Sequence, residues 1–238
     1  MKRFFVPSPQ INGDITTICG RDVNHIKNVL RMKTGDKIVI FDDSGNEYNT
    51  EIVEISKNEI KIETKNKHSN KSEPDVKVTI AQGLPKNPKM DLIIQKCTEL
   101  GAVRIIPVQC ERSVVKLDKS KGRWNKIAQS ASQQSGRQLI PEICSPALFD
   151  DVCESRDKYD LKLILWEEEK ENKFKDVLSN KPKAESIIVL IGPEGGFSIE
   201  EAALAKKKGF IPVTLGPRIL RTETAGLAAL SIIMYEFE

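Results

Sequence analysis

Between Ser186 and Leu220 the chain reads as strand, loop, capped helix, strand and loop, and this unit constrains the fold more than any other feature. Ser186-Ile187-Ile188-Val189-Leu190-Ile191 is β-branched and apolar throughout, the pattern of a parallel strand covered on both faces. It stops at Gly192. Ser198 and Glu201 then form an S-x-x-E capping box, Lys206, Lys207 and Lys208 complement the negative end of the helix, and Gly209 supplies the stop. Ile211 to Leu215 resumes as a strand and ends at Gly216-Pro217. Strand, helix and strand make a crossover unit with two similar exits, and ligands of open α/β sheets sit at such carboxyl ends.

Spacing excludes the common nucleotide sites. No G-x-G-x-x-G follows a strand and no G-x-x-x-x-G-K-[ST] occurs, against a dinucleotide fingerprint and a P-loop. Pro193 and Pro217 each remove a backbone donor and fix φ, so these loops suit enclosure of a ligand better than a cradle of consecutive N–H groups around phosphate. Two tight turns in a structural crossover are the plain alternative. The pairing of the loops, followed by Arg218, Arg221 and Glu223, favours a site.

At 238 residues the chain holds one large or two modest domains, and the pattern favours two. From Arg3 to about Asn66 it reads as short strands, Arg3 to Val6, Lys37 to Phe41, Asn46 to Ile55 and Glu59 to Thr64, with one helix from Val23 to Leu30 capped by Asp22. Mostly antiparallel β with one helix suggests a small barrel. The polar, lysine-rich stretch from Lys65 to Asp75 reads as a linker, placing the domains at 1–72 and 73–238. From Val76 strands alternate with helices, the signature of an α/β domain with a mainly parallel sheet. Its first helix follows Asn87 as cap and Pro88, carries the stripe Met90, Ile93, Ile94, Cys97 and Leu100, and ends at Gly101. Strands are expected at Arg104 to Gln109 and Leu161 to Trp166, and a helix at Arg123 to Gln134. The last helix, about Thr222 to Phe237, is apolar nearly all round, so it must be buried in a core or a subunit interface.

A formal charge of +3 and a pI near 8.5 do not by themselves establish a nucleic-acid partner. Its distribution says more: Arg112, Lys116, Lys119, Lys121, Arg123 and Lys126 face only Asp118, and Lys57, Lys61, Lys65, Lys67 and Lys71 form a second cluster. Either alone reads as solvated surface. Five cysteines without C-x-x-C spacing and two distant histidines, His25 and His68, disfavour disulfide and zinc frameworks, and no metal is expected. Cys97 reads as a small core hydrophobe. The short apolar run before Pro7 is no signal-peptide core, and Ala225 to Met234 is too short to span a bilayer, so a cytoplasmic protein without a membrane partner is expected.

The segments Ile191-Gly192-Pro193-Glu194-Gly195-Gly196-Phe197-Ser198 and Leu215-Gly216-Pro217-Arg218-Ile219-Leu220-Arg221-Thr222-Glu223-Thr224-Ala225 resemble the signature of the RsmE-type 16S ribosomal RNA uridine N3-methyltransferases. Further matches are Gln82 to Lys86, Lys89 to Gly101, Arg123-Trp124 and Gln134 to Arg137, with Arg3 to Val6 and Val29 to Asp36 nearer the N-terminus. The resemblance runs almost end to end. It implies a knotted SPOUT-type α/β methyltransferase domain, preceded by a PUA-like RNA-binding barrel, that dimerises around its cofactor sites.

It further implies S-adenosylmethionine as methyl donor, held by Leu165 and Trp166, by Gly192, Pro193, Glu194 and Gly195, and by Leu215, Gly216, Arg218, Ile219 and Leu220. The acceptor the resemblance implies is N3 of a uridine in 16S ribosomal RNA, within the small ribosomal subunit. That nitrogen carries an imide proton, so catalysis needs in-line alignment and either a base or charge stabilisation at the uracil oxygens. Arg218 and Glu223 are expected to touch the chemistry. Glu194 is an alternative base, and Arg221 an alternative cation or an ion-pair partner for Glu223. Arg3, Arg31 and Lys33 of the barrel and Arg112, Lys116 and Arg123 of the basic segment are expected on RNA. Two other readings share parts of this pattern: a SPOUT enzyme acting on a ribose hydroxyl or a transfer-RNA guanine, and a non-catalytic RNA-binding factor, in which the loops would have decayed.

Overall fold

The computed structural model describes residues 2–11, 13–68, 72–86, 88–114, 121–155 and 158–237. Asn87, Lys116, Lys119 and Lys71, singled out above, lie outside them. The chain forms two compact units, one of Met1–Glu73 with Ser132–Ile140 and one of Pro74–Ala131 with Pro141–Glu238.

The first unit contains β1 (Lys2–Phe5), β2 (Ile15–Cys19), α1 (Arg21–Asn24), β3 (Lys37–Phe41), β4 (Glu47–Ile55) and β5 (Glu59–His68). The strands form one open sheet in the order β1-β3-β4-β5-β2, antiparallel except for β1 beside β3. Two register shifts bend the long β4–β5 hairpin. Ile38, Ile40, Ile52, Ile60 and Ile62 are fully buried in its core together with Ile26. Burying each such side chain contributes roughly 1.5–3 kcal/mol against the entropy of ordering the chain.

Three expectations change here. β2 was not anticipated, because its inward face is Thr16 and Ile18, so the alternation of polarity is blurred by a buried threonine. Asp22 lies inside α1, which starts after Gly20 at φ 76° and runs on as a π-helical turn over His25–Val29. β5 continues to His68, so Lys65 to His68 belong to the sheet, not to a linker: Asn66, Lys67 and His68 pair with Asn49, Tyr48 and Glu47 of β4.

The second unit contains β6 (Lys77–Gly83), α2 (Lys89–Glu99), β7 (Arg104–Gln109), most of α3 (Lys121–Ser135, whose residues from Ser132 on belong to the first unit), β8 (Glu142–Ile143), β9 (Ala147–Leu148), α4 (Phe149–Glu154), β10 (Leu161–Leu165), α5 (Phe174–Ser179), β11 (Ser186–Ile191), α6 (Ile199–Lys207), β12 (Ile211–Val213) and α7 (Thr222–Phe237). The short β8, β9, α4 and α5 are too brief to show a period in sequence. Its sheet is parallel, ordered β12-β10-β11-β6-β7-β8, with β9 also against β7. Five of the six β11 residues are buried, as a strand covered on both faces requires.

The capping box of α6 is present, Ser198 Oγ accepting from Glu201 N and the Glu201 carboxylate accepting from Ser198 N. Pro88 occupies the N-cap position of α2 and Lys89 its first turn, one residue later than the sequence suggested. The stripe on α2 is buried at Met90, Ile93, Ile94 and Cys97. β12 ends at Val213, short of Leu215: at Thr214 the backbone pairs with Lys173 instead of β10, its N donating to Asn172 O and its O accepting from Phe174 N. The C-terminal helix α7 packs on α2, β6 and β11. It buries Gly226, Ala229, Leu230, Ile233 and Met234, while Tyr235 is 87% and Ile232 36% exposed, so one face remains outside this core.

Candidate active site

Strand register assembles the site. Leu165 of β10 pairs with Ile191 of β11 on one side and with Val213 of β12 on the other, so three strands end at one level. β10 therefore lies between the two similar exits of the crossover unit, and contributes a third loop beginning at Trp166. The three loops enclose a cavity of about 860 Å³, within the usual range for small-molecule and cofactor sites.

Eleven residues were expected on a cofactor: Leu165, Trp166, Gly192, Pro193, Glu194, Gly195, Leu215, Gly216, Arg218, Ile219 and Leu220. All of them line this cavity. Glu167, Glu168 and Glu169 add an acidic wall, and Arg112 and Lys89 reach in from outside the three loops.

Glycine allows the close contacts. A Cβ on Gly192 would stand 3.1 Å from the Gly196 backbone, which folds back through a turn from Gly196 N to Pro193 O. A Cβ on Gly83, at the end of β6, would meet the Pro193 ring and nitrogen at 2.6 Å. The Gln82-Gly83 pair thus sets the floor of the β11 loop. Gln82 Nε2 donates to Thr222 Oγ1 at 2.8 Å, and Thr222 in turn donates to the Gly192 carbonyl.

Electrostatics sharpen the other wall. Lys89 Nζ lies 3.1 Å from Glu194 Oε1 and 3.1 Å from Glu223 Oε2, and Glu194 also accepts from Lys86 N. Burial pushes both carboxyls up, but backbone hydrogen bonds and the Lys89 ammonium outweigh it and hold each below the usual carboxylate range. Lys89 is raised by its contacts with the same two carboxylates. Arg112 Nη1 donates to Gly195 O at 3.0 Å, while the neighbouring Glu111 N donates to the buried Glu201 carboxylate, so the loop after β7 is fastened to the loop after β11.

Of the two residues expected at the chemistry, Arg218 is exposed and lines the cavity. Glu223 is not in the lining and reaches it through Lys89, the cation it pairs with, in place of the Arg221 anticipated. Arg221 lines the cavity, and its carbonyl accepts the first amides of α7.

Among residues expected on RNA, Arg31, Lys33, Arg112 and Arg123 are exposed, with Arg123 paired to Asp91. Arg3 is placed differently from these four. Its guanidinium is 14% exposed, pairs with Glu47, donates to Arg137 O and stacks over Phe41, so it is consumed inside its own unit. Arg137 in turn binds Glu73, whose Oε1 also accepts from Gln138 N and Leu139 N.

Sequence reasoning missed Lys89, Gln82 and Thr222 as site-forming residues. All three sit inside quoted matching segments, but no spacing rule marks a lysine or glutamine whose partners come from 100 residues away. Cys97 is fully buried, with its thiol pushed up to about 12 by desolvation, which fits packing and not nucleophilic chemistry.

A protein-family model described as RNA methyltransferase domain matches residues 71–234. Over 250 aligned residues the chain is 38% identical to the ribosomal RNA small subunit methyltransferase E of Bacillus subtilis (strain 168), covering all of this chain and 98% of that protein. The chain belongs to the ribosomal RNA small subunit methyltransferase E family. A second model, the RNA methyltransferase PUA domain, matches residues 18–65. A Neisseria gonorrhoeae ribosomal RNA small subunit methyltransferase E, solved bound to S-adenosyl methionine, superposes with a TM-score of 0.91 at 31% identity, covering 99% of this chain and 97% of that one. A Legionella pneumophila methyltransferase solved with its bound cofactor gives 0.89 at 33% identity, covering 98% and 96%. The fold is accordingly the knotted SPOUT-type α/β domain together with a PUA-like unit.

Proposed function

We propose that the protein methylates N3 of a specific uridine in 16S ribosomal RNA, using S-adenosylmethionine. The observation that carries this reading is the convergence of three in-register strand exits on one cavity whose lining combines apolar surface with both acidic and basic side chains. That lining fits the cofactor chemically: Leu165, Leu215, Ile219 and Leu220 suit an adenine ring, and Glu167 to Glu169 suit a cationic group. When bound, the cofactor supplies a methyl group on a positively charged sulfur, open to in-line attack.

The chain's own residues would do the rest. Backbone groups of Gly192 to Gly196 and Gly216 to Leu220 position the donor, with Gly196 opposite the Glu167 carboxylate. Arg218 stabilises charge developing on the uracil oxygens as the imide proton leaves. Glu194 and Glu223, each paired with Lys89, are the carboxylates placed to receive the imide proton, while Arg218 supplies the catalytic electrostatics. An unpaired or extruded uridine is required, because pairing hides N3.

Arg31, Lys33, Arg112 and Arg123 are proposed phosphate contacts, with Lys116 in the same basic segment. The exposed Ile232 and Tyr235 of α7, on a helix otherwise apolar nearly all round, support a homodimer. No helix among the described residues is long and apolar enough to cross a membrane, and we place the enzyme in the cytoplasm, acting on rRNA within the small subunit.

The test is Arg218→Ala, assayed for cofactor binding by calorimetry and for turnover on RNA. Lost turnover with binding retained supports the assignment; unchanged turnover removes Arg218 from the reaction.

A further inference from the structure

We infer that Lys89 is a positioning residue for methyl transfer, holding Glu194 and Glu223 as one charge cluster that locks the loop after β11 to the start of α7. The inference rests on the proposed function for its meaning, but its geometry stands alone. Lys89 belongs to the first turn of α2, Glu194 to the β11 loop and Glu223 to the first turn of α7, three segments distant in sequence. The ammonium lies 3.1 Å from a carboxylate oxygen of each.

The three side chains are 29%, 28% and 16% exposed, so the cluster is partly shielded and unlike a solvated surface pair. Glu194 is held a second time by Lys86 N at 3.1 Å, and its neighbour Pro193 is pressed against Gly83. The loop is therefore gripped on both sides of Glu194. Thr222, next to Glu223, donates to Gly192 O, so two consecutive residues of α7 hold the same loop by different means. One ammonium between two carboxylates ties the loop after β11 to the start of α7, so its loss lets the two carboxylates repel and the loop shift. The other charged group acting on Glu223 is Arg221, which also lines the cavity.

The test uses the full chain with S-adenosylmethionine as probe. Lys89→Met keeps the aliphatic stem and removes the charge; Lys89→Arg keeps the charge. Calorimetry should show Lys89→Met weakening cofactor binding by about tenfold, and the same substitution in a Glu223→Gln background having less than about a third of that effect, the coupling expected of residues acting as one network. Lys89→Arg should recover most of the affinity. Carbon-detected NMR should show Glu194 and Glu223 titrating at higher pH in Lys89→Met than in the wild type.

Unchanged titration, or additive losses in the double variant, would overturn the inference. If Lys89→Met does not fold, Lys89→Arg and Glu223→Gln still decide it: Glu223→Gln with wild-type affinity and an unaltered Glu194 titration contradicts the cluster. Wild-type protein that binds the cofactor yet methylates no uridine would defeat the proposed acceptor and leave the Lys89 coupling intact.

Discussion

The hydroxyl of Thr222, at the start of α7, donates to the carbonyl of Gly192, at the exit of β11, across 2.5 Å. The same oxygen accepts from Gln82 Nε2, and Gln82 Nε2 also donates to Gly83 O, which fixes the direction of both bonds because a carbonyl can only accept. One side chain thus joins the ends of β6 and β11 to the C-terminal helix beneath the cavity.

Thr222→Val removes that junction at nearly constant volume and leaves the fully buried Gln82 amide short of a partner. The expected cost is about 1–3 kcal/mol, the penalty of an unsatisfied buried polar group. Urea denaturation reads the stability, and calorimetry should show weaker cofactor binding in the same variant.

Gly83→Ala places a methyl group 2.6 Å from the Pro193 ring and backbone, where no flexible side chain can yield. The expected result is a loss of about 1–3 kcal/mol, as for other overpacked sites, with displacement of the β11 loop. Gly226→Ala meets Ile191 Cδ1 at 2.9 Å, a side-chain tip, and should be milder. Comparing the two melting curves and cofactor affinities checks the ordering.

The sequence was most informative where local rules act alone. β7 and β11 are found over the residues their composition indicated, and the Ser198–Glu201 box needs only a spacing of three. Legibility failed where the partner is distant. Arg3 looks like a basic surface residue until Glu47 and Arg137 are brought to it, and Lys65 to His68 look like linker until β4 pairs with them. The cavity residues were nearly all readable because three loops follow three strands. Lys89 was not, since nothing in its own helix indicates the two carboxylates it meets.

Acid should loosen both units. Asp42, 1% exposed, is pushed up by burial but held lower overall by hydrogen bonds from Asn46, Ser44 and Tyr48, and Glu194 and Glu223 are likewise net lowered. A carboxyl depressed in the folded state stabilises fully above its unfolded pKa of about 4, and that contribution is lost as pH falls through the folded value. Urea midpoints should therefore drop below about pH 4. Asp42→Asn should be less stable at neutral pH and show a flatter acid limb; an equally steep limb would remove Asp42 from the explanation.

RNA affinity should fall with salt. Replacing Arg112 or Arg123 by Ala should reduce the slope of log K against log salt by about one each, the mark of a lost phosphate contact. Arg3→Ala should instead lower the melting temperature through the loss of Glu47's partner, so folding and binding assays separate the two classes.

The most direct measurement is made on the product. Purified protein is incubated with S-adenosylmethionine and small ribosomal subunits lacking the modification, and the 16S RNA is digested and examined by mass spectrometry. The account predicts 3-methyluridine at a single uridine, absent when Arg218→Ala replaces the wild type. A methyl group on a ribose or a guanine, or no methylation by a protein that binds the cofactor, would contradict it.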